Sequence, residues 1–297
     1  MGSRNPRRRQ QLIFAACVVI PLVASYVLFL IWPVIWAFRI SISDWNLFTN
    51  VGQFVGLRNY ARAFKDPIFR ISLLNTFYYA ILSVPVGLIV ALALGMMIQA
   101  AGPLRSLFRV LYFLPVVTSE IATGVLWRWL YQPEYGLFNS MLRALRLPPQ
   151  DWLFSPELAM PCVVLYATWK GIGFTTIIMM AGLDGIDRTY YEAARVDGAN
   201  GWQLFRHITM PLLRPTLTFI LVTGVIGALQ VFGPIYVMTQ GPGGPLHRTR
   251  TLVLYQYESA FLSFQWPYGT AIAFISFAII MTLTLIQLRV LRRRWEY

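Results

Sequence analysis

The sequence predicts an all-α integral membrane protein. Six transmembrane helices are expected, with a folded elbow between the fourth and fifth. Three observations predict it. The 297 residues are 57% hydrophobic and only 12% charged, where a soluble domain carries about 25% charge. Six apolar runs each reach the ~20 residues that a helix needs to cross hydrocarbon. Arginines gather beside those runs, so the net charge of +13 points to lipid headgroups and not to nucleic acid.

The elements follow in chain order. Residues 1–11 form a basic N-terminal arm, and 12–297 form one transmembrane domain. The expected spans are 12–38, 72–98, 107–131, 158–183, 216–239 and 268–291. Pro21, Pro85, Pro115, Pro161 and Pro234 fall inside spans. They predict kinks, because neighbouring helices can satisfy the freed carbonyls. The first apolar run continues to Trp36, too long for a signal-peptide core, and shows no A-x-A cleavage site. It reads as a retained span. Cys17 and Cys162 both lie in apolar runs and read as buried small hydrophobes, without a disulfide or zinc framework. Trp32, Trp36, Trp127, Trp129 and Trp266 fall near span ends, as an aromatic belt would.

Orientation follows from the cations. With a cytoplasmic N-terminus, the inner segments hold fourteen arginines against nine Lys and Arg residues outside. Both terminal clusters, Arg4 with Arg7, Arg8 and Arg9, and Arg289 with Arg292, Arg293 and Arg294, then face the cytoplasm. So does the elbow at 188–210.

The elbow reads as two short helices. Asp187 is placed to cap the first, and Gly198 to end it in a left-handed turn. Asn200 and Gln203 have capping-box spacing for the second helix. Trp202, Phe205 and Ile208 follow along one side, and Pro211 and Pro215 close the passage. From physics alone this is equally a helical surface loop.

The residues Glu192, Ala193, Ala194, Asp197, Gly198, Ala199, Phe205, Ile208, Pro211 and Pro215 resemble the EAA signature of ABC importer permeases. Segments 54–82, 113–139 and 231–261 resemble the carbohydrate branch, in particular the first permease subunit of glycerol-phosphate and maltose importers. The last segment carries the extended loop Thr239-Gln240-Gly241-Pro242-Gly243-Gly244-Pro245. The resemblance implies that the elbow is a coupling helix docking on an ATPase. It also implies a second permease subunit, two ATPase subunits, an external solute-binding protein and a bacterial-type inner membrane.

The chemistry of the residues is consistent with a transport subunit. The two lysines, Lys65 and Lys170, follow Phe and Trp, so no Walker A loop is present. ATP and magnesium would therefore sit on a partner ATPase, with no cofactor in this chain. Neither H-E-x-x-H nor G-x-S-x-G occurs, and His207 and His247 read as surface residues. Polar groups at membrane depth are candidate path residues. Lys170, Gly171 and Phe174 in the fourth span, with Gln230 and Phe232 in the fifth, are the candidates. Glu120 and Arg128, two turns apart, read equally as a structural pair. A sugar is the favoured cargo; a polyamine, phosphate or a stand-alone secondary transporter are the alternatives.

Cysteines replacing Arg4 or Tyr297 should resist an impermeant maleimide added to sealed cells. Labelling of either one overturns the orientation.

Overall fold

The computed structural model describes residues 6–46, 49, 51–239, 241 and 243–291. Arg4, Arg292, Arg293, Arg294, Tyr297, Gln240 and Pro242 lie outside them. The chain opens with α1 (Pro6–Tyr26), a π-turn (Val27–Ile31) and α2 (Trp32–Ser41). Strands β1 (Ser43–Asn46) and β2 (Val51–Phe54) follow, then α3 (Arg58–Lys65) and the long α4 (Pro67–Ala100). Next come α5 (Arg105–Val117), α6 (Glu120–Leu130), α7 (Leu137–Ala144) and α8 (Ala159–Asp184). The elbow comprises α9 (Arg188–Val196), α10 (Gly201–Leu204), a π-turn (Phe205–Thr209) and α11 (Met210–Leu212). The chain continues with α12 (Arg214–Leu229), α13 (Gly233–Thr239), α14 (Leu252–Tyr257) and α15 (Trp266–Leu291).

Four stretches are long and apolar enough to cross a membrane: Phe14–Ser41, Pro67–Ala100, Ala159–Asp184 and Trp266–Leu291. Two bent helix pairs raise that number to as many as six. The expected third span is not one helix. Its halves, Gly102–Val117 and Glu120–Leu130, meet at 96°. Pro115 stays inside α5; the break falls at Thr118 and Ser119, where Thr118 is extended and the Ser119 hydroxyl caps α6. The expected fifth span is broken as well, between Leu229 and Gly233. The elbow segment Gly201–Leu212 meets α12 at 64°.

Among the described residues the chain is all-α apart from one short hairpin. Strands β1 and β2 pair antiparallel from Ser43↔Phe54 to Asn46↔Val51. Asn59 pins this hairpin by donating to the Ser41 and Ser43 carbonyls at 2.9 and 3.0 Å.

The residues form two compact units. One holds residues up to Lys65 with Ser259–Ile275. In it the Arg62 guanidinium lies 4.3 Å from the Tyr268 ring centre and donates to Gln265 Oε1 at 2.8 Å. The other holds Asp66–Glu258 and the chain from Ser276 onward. Its core is built on α8, where Val163, Tyr166 and Met179 have no exposed surface. Trp127 is buried there among Tyr131, Phe138, Tyr166 and Trp169 at 5.3–6.1 Å, so it is no belt residue. Trp129, on the opposite side of α6, is exposed. Cys17 is exposed, against expectation, because the apolar window of its span buries none of its residues among the described part of the chain; Cys162 is buried.

Small residues let these helices approach closely. A Cβ on Gly173 of α8 would run into the Tyr112 carbonyl of α5, whereas one on Gly171 would meet nothing within 4 Å. Gly173→Ala should therefore cost about 1–3 kcal/mol, seen as a lower Tm of the purified protein. Gly171→Ala meets open space and gains helix propensity, so it should leave Tm unchanged or raise it, and equal losses in the two variants would refute this packing.

Candidate substrate path and coupling elbow

A helix broken at membrane depth exposes carbonyls at one end and N–H groups at the other. With no water to take them, protein groups must. At the break in the third span, the Ser119 hydroxyl accepts from the Ala122 N–H at 3.5 Å, and α8 supplies donors to the carbonyls with two side chains one turn apart. The Lys170 ammonium donates to the carbonyls of Pro115 and Thr118, each at 2.5 Å, and to the Thr118 hydroxyl at 3.3 Å. It thereby places a cation at the C-terminus of α5, where the helix dipole favours it. Tyr166 holds the other side. It donates to the Glu120 carbonyl at 2.9 Å and shares a hydrogen bond with the Thr123 hydroxyl at 3.0 Å. Both side chains are therefore committed to the break, and Lys170 has partners that sequence distance concealed.

Glu120 carries this arrangement to the second break. It occupies the first turn of α6, where a carboxylate suits the dipole. Its carboxylate packs directly on Gly233, so closely that a Cβ at Gly233 would collide with it. Four residues further on, a Cβ at Gly124 would collide with Val237. The matching offsets show that α6 and α13 run parallel, each starting at its break. The gap between α12 and α13 has its own partner: the Thr251 hydroxyl donates to the Val231 carbonyl at 3.1 Å.

The five candidate path residues separate. Gly171 and Phe174 line a groove of about 350 Å³ between α4, α8 and α12. Lys170 turns away from it to the break. Gln230 is exposed at the C-terminal cap of α12. Phe232 stacks on Tyr236 at 5.2 Å and meets Tyr257 at 5.2 Å. The groove combines an exposed aromatic face, Phe174, with Thr168, Thr175 and Thr223. Thr168 Oγ1 is buried without a hydrogen-bond partner, and the Thr223 hydroxyl donates to the Phe219 carbonyl at 2.7 Å. Glycines at 87, 224 and 227 keep its walls low.

The elbow forms from its capping signals. Asp187 Oδ1 accepts from the Thr189 N–H at 2.9 Å and from its hydroxyl at 2.7 Å, which holds the Asp187 carboxyl below its ordinary value. Gly198 takes φ +80°, and the reciprocal capping box between Asn200 and Gln203 closes at 2.9 and 2.7 Å. The second helix is longer than expected, running on through a π-turn so that Pro211 lies within its last turn. Trp202 and Phe205 pair at 5.5 Å, with Trp202 exposed. Ala194, Asp197, Gly198, Ala199 and Ile208 line a cleft between the two elbow helices. Glu192 and Phe205 face a separate groove, while Ala193 is exposed and Pro211 half-buried. His207 is exposed, as expected.

Several contributors escaped the sequence reading. Asp184, at the end of α8, binds Arg105, accepts from Gln99 at 3.2 Å and lies 3.5 Å from Arg109. An acid just beyond the fourth span and arginines at the start of the third were a readable signal. Tyr166, Thr118 and Thr251 bore none, since isolated hydroxyls recur throughout the chain.

The family model described as "binding-protein-dependent transport system inner membrane component" matches residues 72–297. The chain is 31% identical to the lactose transport system permease protein of Rhizobium radiobacter, over 98% of both chains. It is 33% identical to the trehalose/maltose transport system permease protein of Thermococcus litoralis, over 93% of both. It also superposes on a chain of the bacterial alginate ABC transporter in complex with alginate pentasaccharide-bound periplasmic protein. That match has a TM-score of 0.84 at 24% identity and covers 96% of each chain.

Lys170→Met takes the ammonium from the Thr118 carbonyl and leaves the Pro115 carbonyl only the Thr118 hydroxyl, which donates to it at 2.6 Å; it should reduce uptake at least tenfold, the scale of one to two lost charged hydrogen bonds. Tyr166→Phe should show a smaller loss. Wild-type uptake in Lys170→Met at normal protein level would show that the break does not depend on this residue.

Proposed function

This chain belongs to the binding-protein-dependent transport system inner membrane components, and from that premise we propose that it is the sugar-conducting permease subunit of an ATP-driven importer. Permeases of this family are multi-pass membrane subunits and not themselves enzymes. The observation that carries the reading is the capped two-helix elbow suspended between α8 and α12. Its helices are too short to be stable alone, yet caps, a left-handed glycine and a capping box hold their angle. Such a rigid polar projection suits docking into a cleft on a separate ATPase.

Sugar is favoured by the lactose and trehalose/maltose names of relatives that match nearly end to end. The groove lined by Phe174 and three threonines has fitting chemistry, since a sugar presents C–H faces to aromatic rings and hydroxyls to polar groups. A solute-binding protein would deliver the cargo from outside, as the family description implies. A second permease subunit would complete the path. Closure of two ATPase subunits, where ATP and magnesium bind, would move the elbows. Because α8 and α12 flank the elbow in sequence, that movement would reach both breaks and the groove together. Both termini and the elbow would face the cytoplasm.

Gly198→Val places a β-branched side chain at φ +80°, a backbone penalty of at least ~1–2 kcal/mol, and should misdirect the second elbow helix. Combined with Glu192→Ala, it should give a complex that reaches the membrane but loses its ATPase subunits or hydrolyses ATP without uptake. Full ATPase association with normal substrate-stimulated uptake in this double variant would defeat the coupling role. A sugar-binding screen of the cognate solute-binding protein tests the cargo class.

A further inference from the structure

A groove of about 630 Å³ lies where the ends of α4, α5 and α8 meet the elbow. Its lining mixes apolar side chains, Met96, Leu183, Ile186 and Leu204, with three cations, Arg105, Arg188 and Arg195. Two carboxylates also line it, Asp184 and Glu192. Asp184 is already shared between Arg105 and Arg109, so that cluster keeps a net positive charge. Among the described residues neither Arg188 nor Arg195 stands in an ion pair. Arg105 Nε is buried and has no hydrogen-bond partner.

We propose that this groove binds one phospholipid with an anionic phosphate headgroup. The position supports a lipid because three helices of the apolar bundle end there, and helix ends mark the edge of the hydrocarbon. The mixed lining has the same logic. An acyl chain and glycerol would cover Met96 and Leu204, while the phosphate would take the guanidinium groups of Arg105, Arg188 and Arg195. Arginine forks suit phosphate oxygens, and basic pockets among helix ends attract such headgroups. Bound there, the lipid would tie the first elbow helix to the ends of α4 and α5. Placing the groove on the cytoplasmic leaflet rests on the importer reading above; the binding itself does not.

The test uses the complete importer, with its ATPase subunits, in phosphatidylcholine nanodiscs doped with phosphatidylglycerol. Native mass spectrometry then counts retained phosphatidylglycerol and ATPase subunits per complex. The wild type should retain phosphatidylglycerol selectively, and inorganic phosphate should not displace it. Arg188→Gln with Arg195→Gln should lower retention about tenfold or more, the scale of two interfacial arginines. Arg105→Gln provides a second, independent loss, and Arg105→Lys should restore part of it. Unchanged retention in the folded Arg188→Gln, Arg195→Gln variant overturns the proposal. Displacement by inorganic phosphate alone also overturns it, by assigning the groove to a free anion. Retention seen only after the ATPase subunits are removed overturns it too, by making the groove a protein interface. The count does not depend on which solute is carried. A failed lipid site thus leaves the importer reading standing, and failed sugar uptake leaves the lipid count intact.

Discussion

Unpaired backbone groups cannot be left in hydrocarbon, and the second unit is organised around that constraint. Each such group costs several kcal/mol in lipid. The third span nevertheless breaks by 96°. It is tolerated because Lys170 and Tyr166, both on α8, bind opposite sides of the break. Lys170 itself would be costly there, and its three oxygen acceptors offset that cost. The groups are mutually dependent: the break needs the ammonium, and the ammonium needs the break.

The second break depends on the first through Glu120 and Gly233. Parallel packing of α6 and α13 follows from that contact and from Gly124 against Val237. Thr251 then satisfies the Val231 carbonyl from the loop beyond α13. One continuous set of contacts thus joins α8, both breaks and the chain leading into α14.

The same helix connects this centre to the elbow. The 26 residues of α8 span about 39 Å at 1.5 Å per residue. In its first half lie Tyr166 and Lys170. At its far end Asp184 binds Arg105, and Asp187 caps the elbow three residues later. On the return, α12 leads from the elbow to the second break. A rigid helix transmits displacement along its axis, so the elbow and the breaks are mechanically close although far apart in space.

The sequence by itself determined the class of fold, the position of most spans and the conformation of the elbow. These depend on information that is local. Run length against hydrocarbon thickness places a span, and Asp187, Gly198, Asn200 and Gln203 act within a few residues of themselves. Only the tertiary structure decided where spans break, which way Lys170 points, and which apolar side chains are buried. Thr118 and Ser119 carry no stronger breaking signal than Pro115, which stays helical; the partners that stabilise the break lie 52 residues away on α8. Trp127 and Trp129 look alike in sequence because a lipid-facing ring and a core ring are equally apolar. Their two-residue separation on α6 sends one into the core and the other outward, and only the packing of α7 and α8 reveals which.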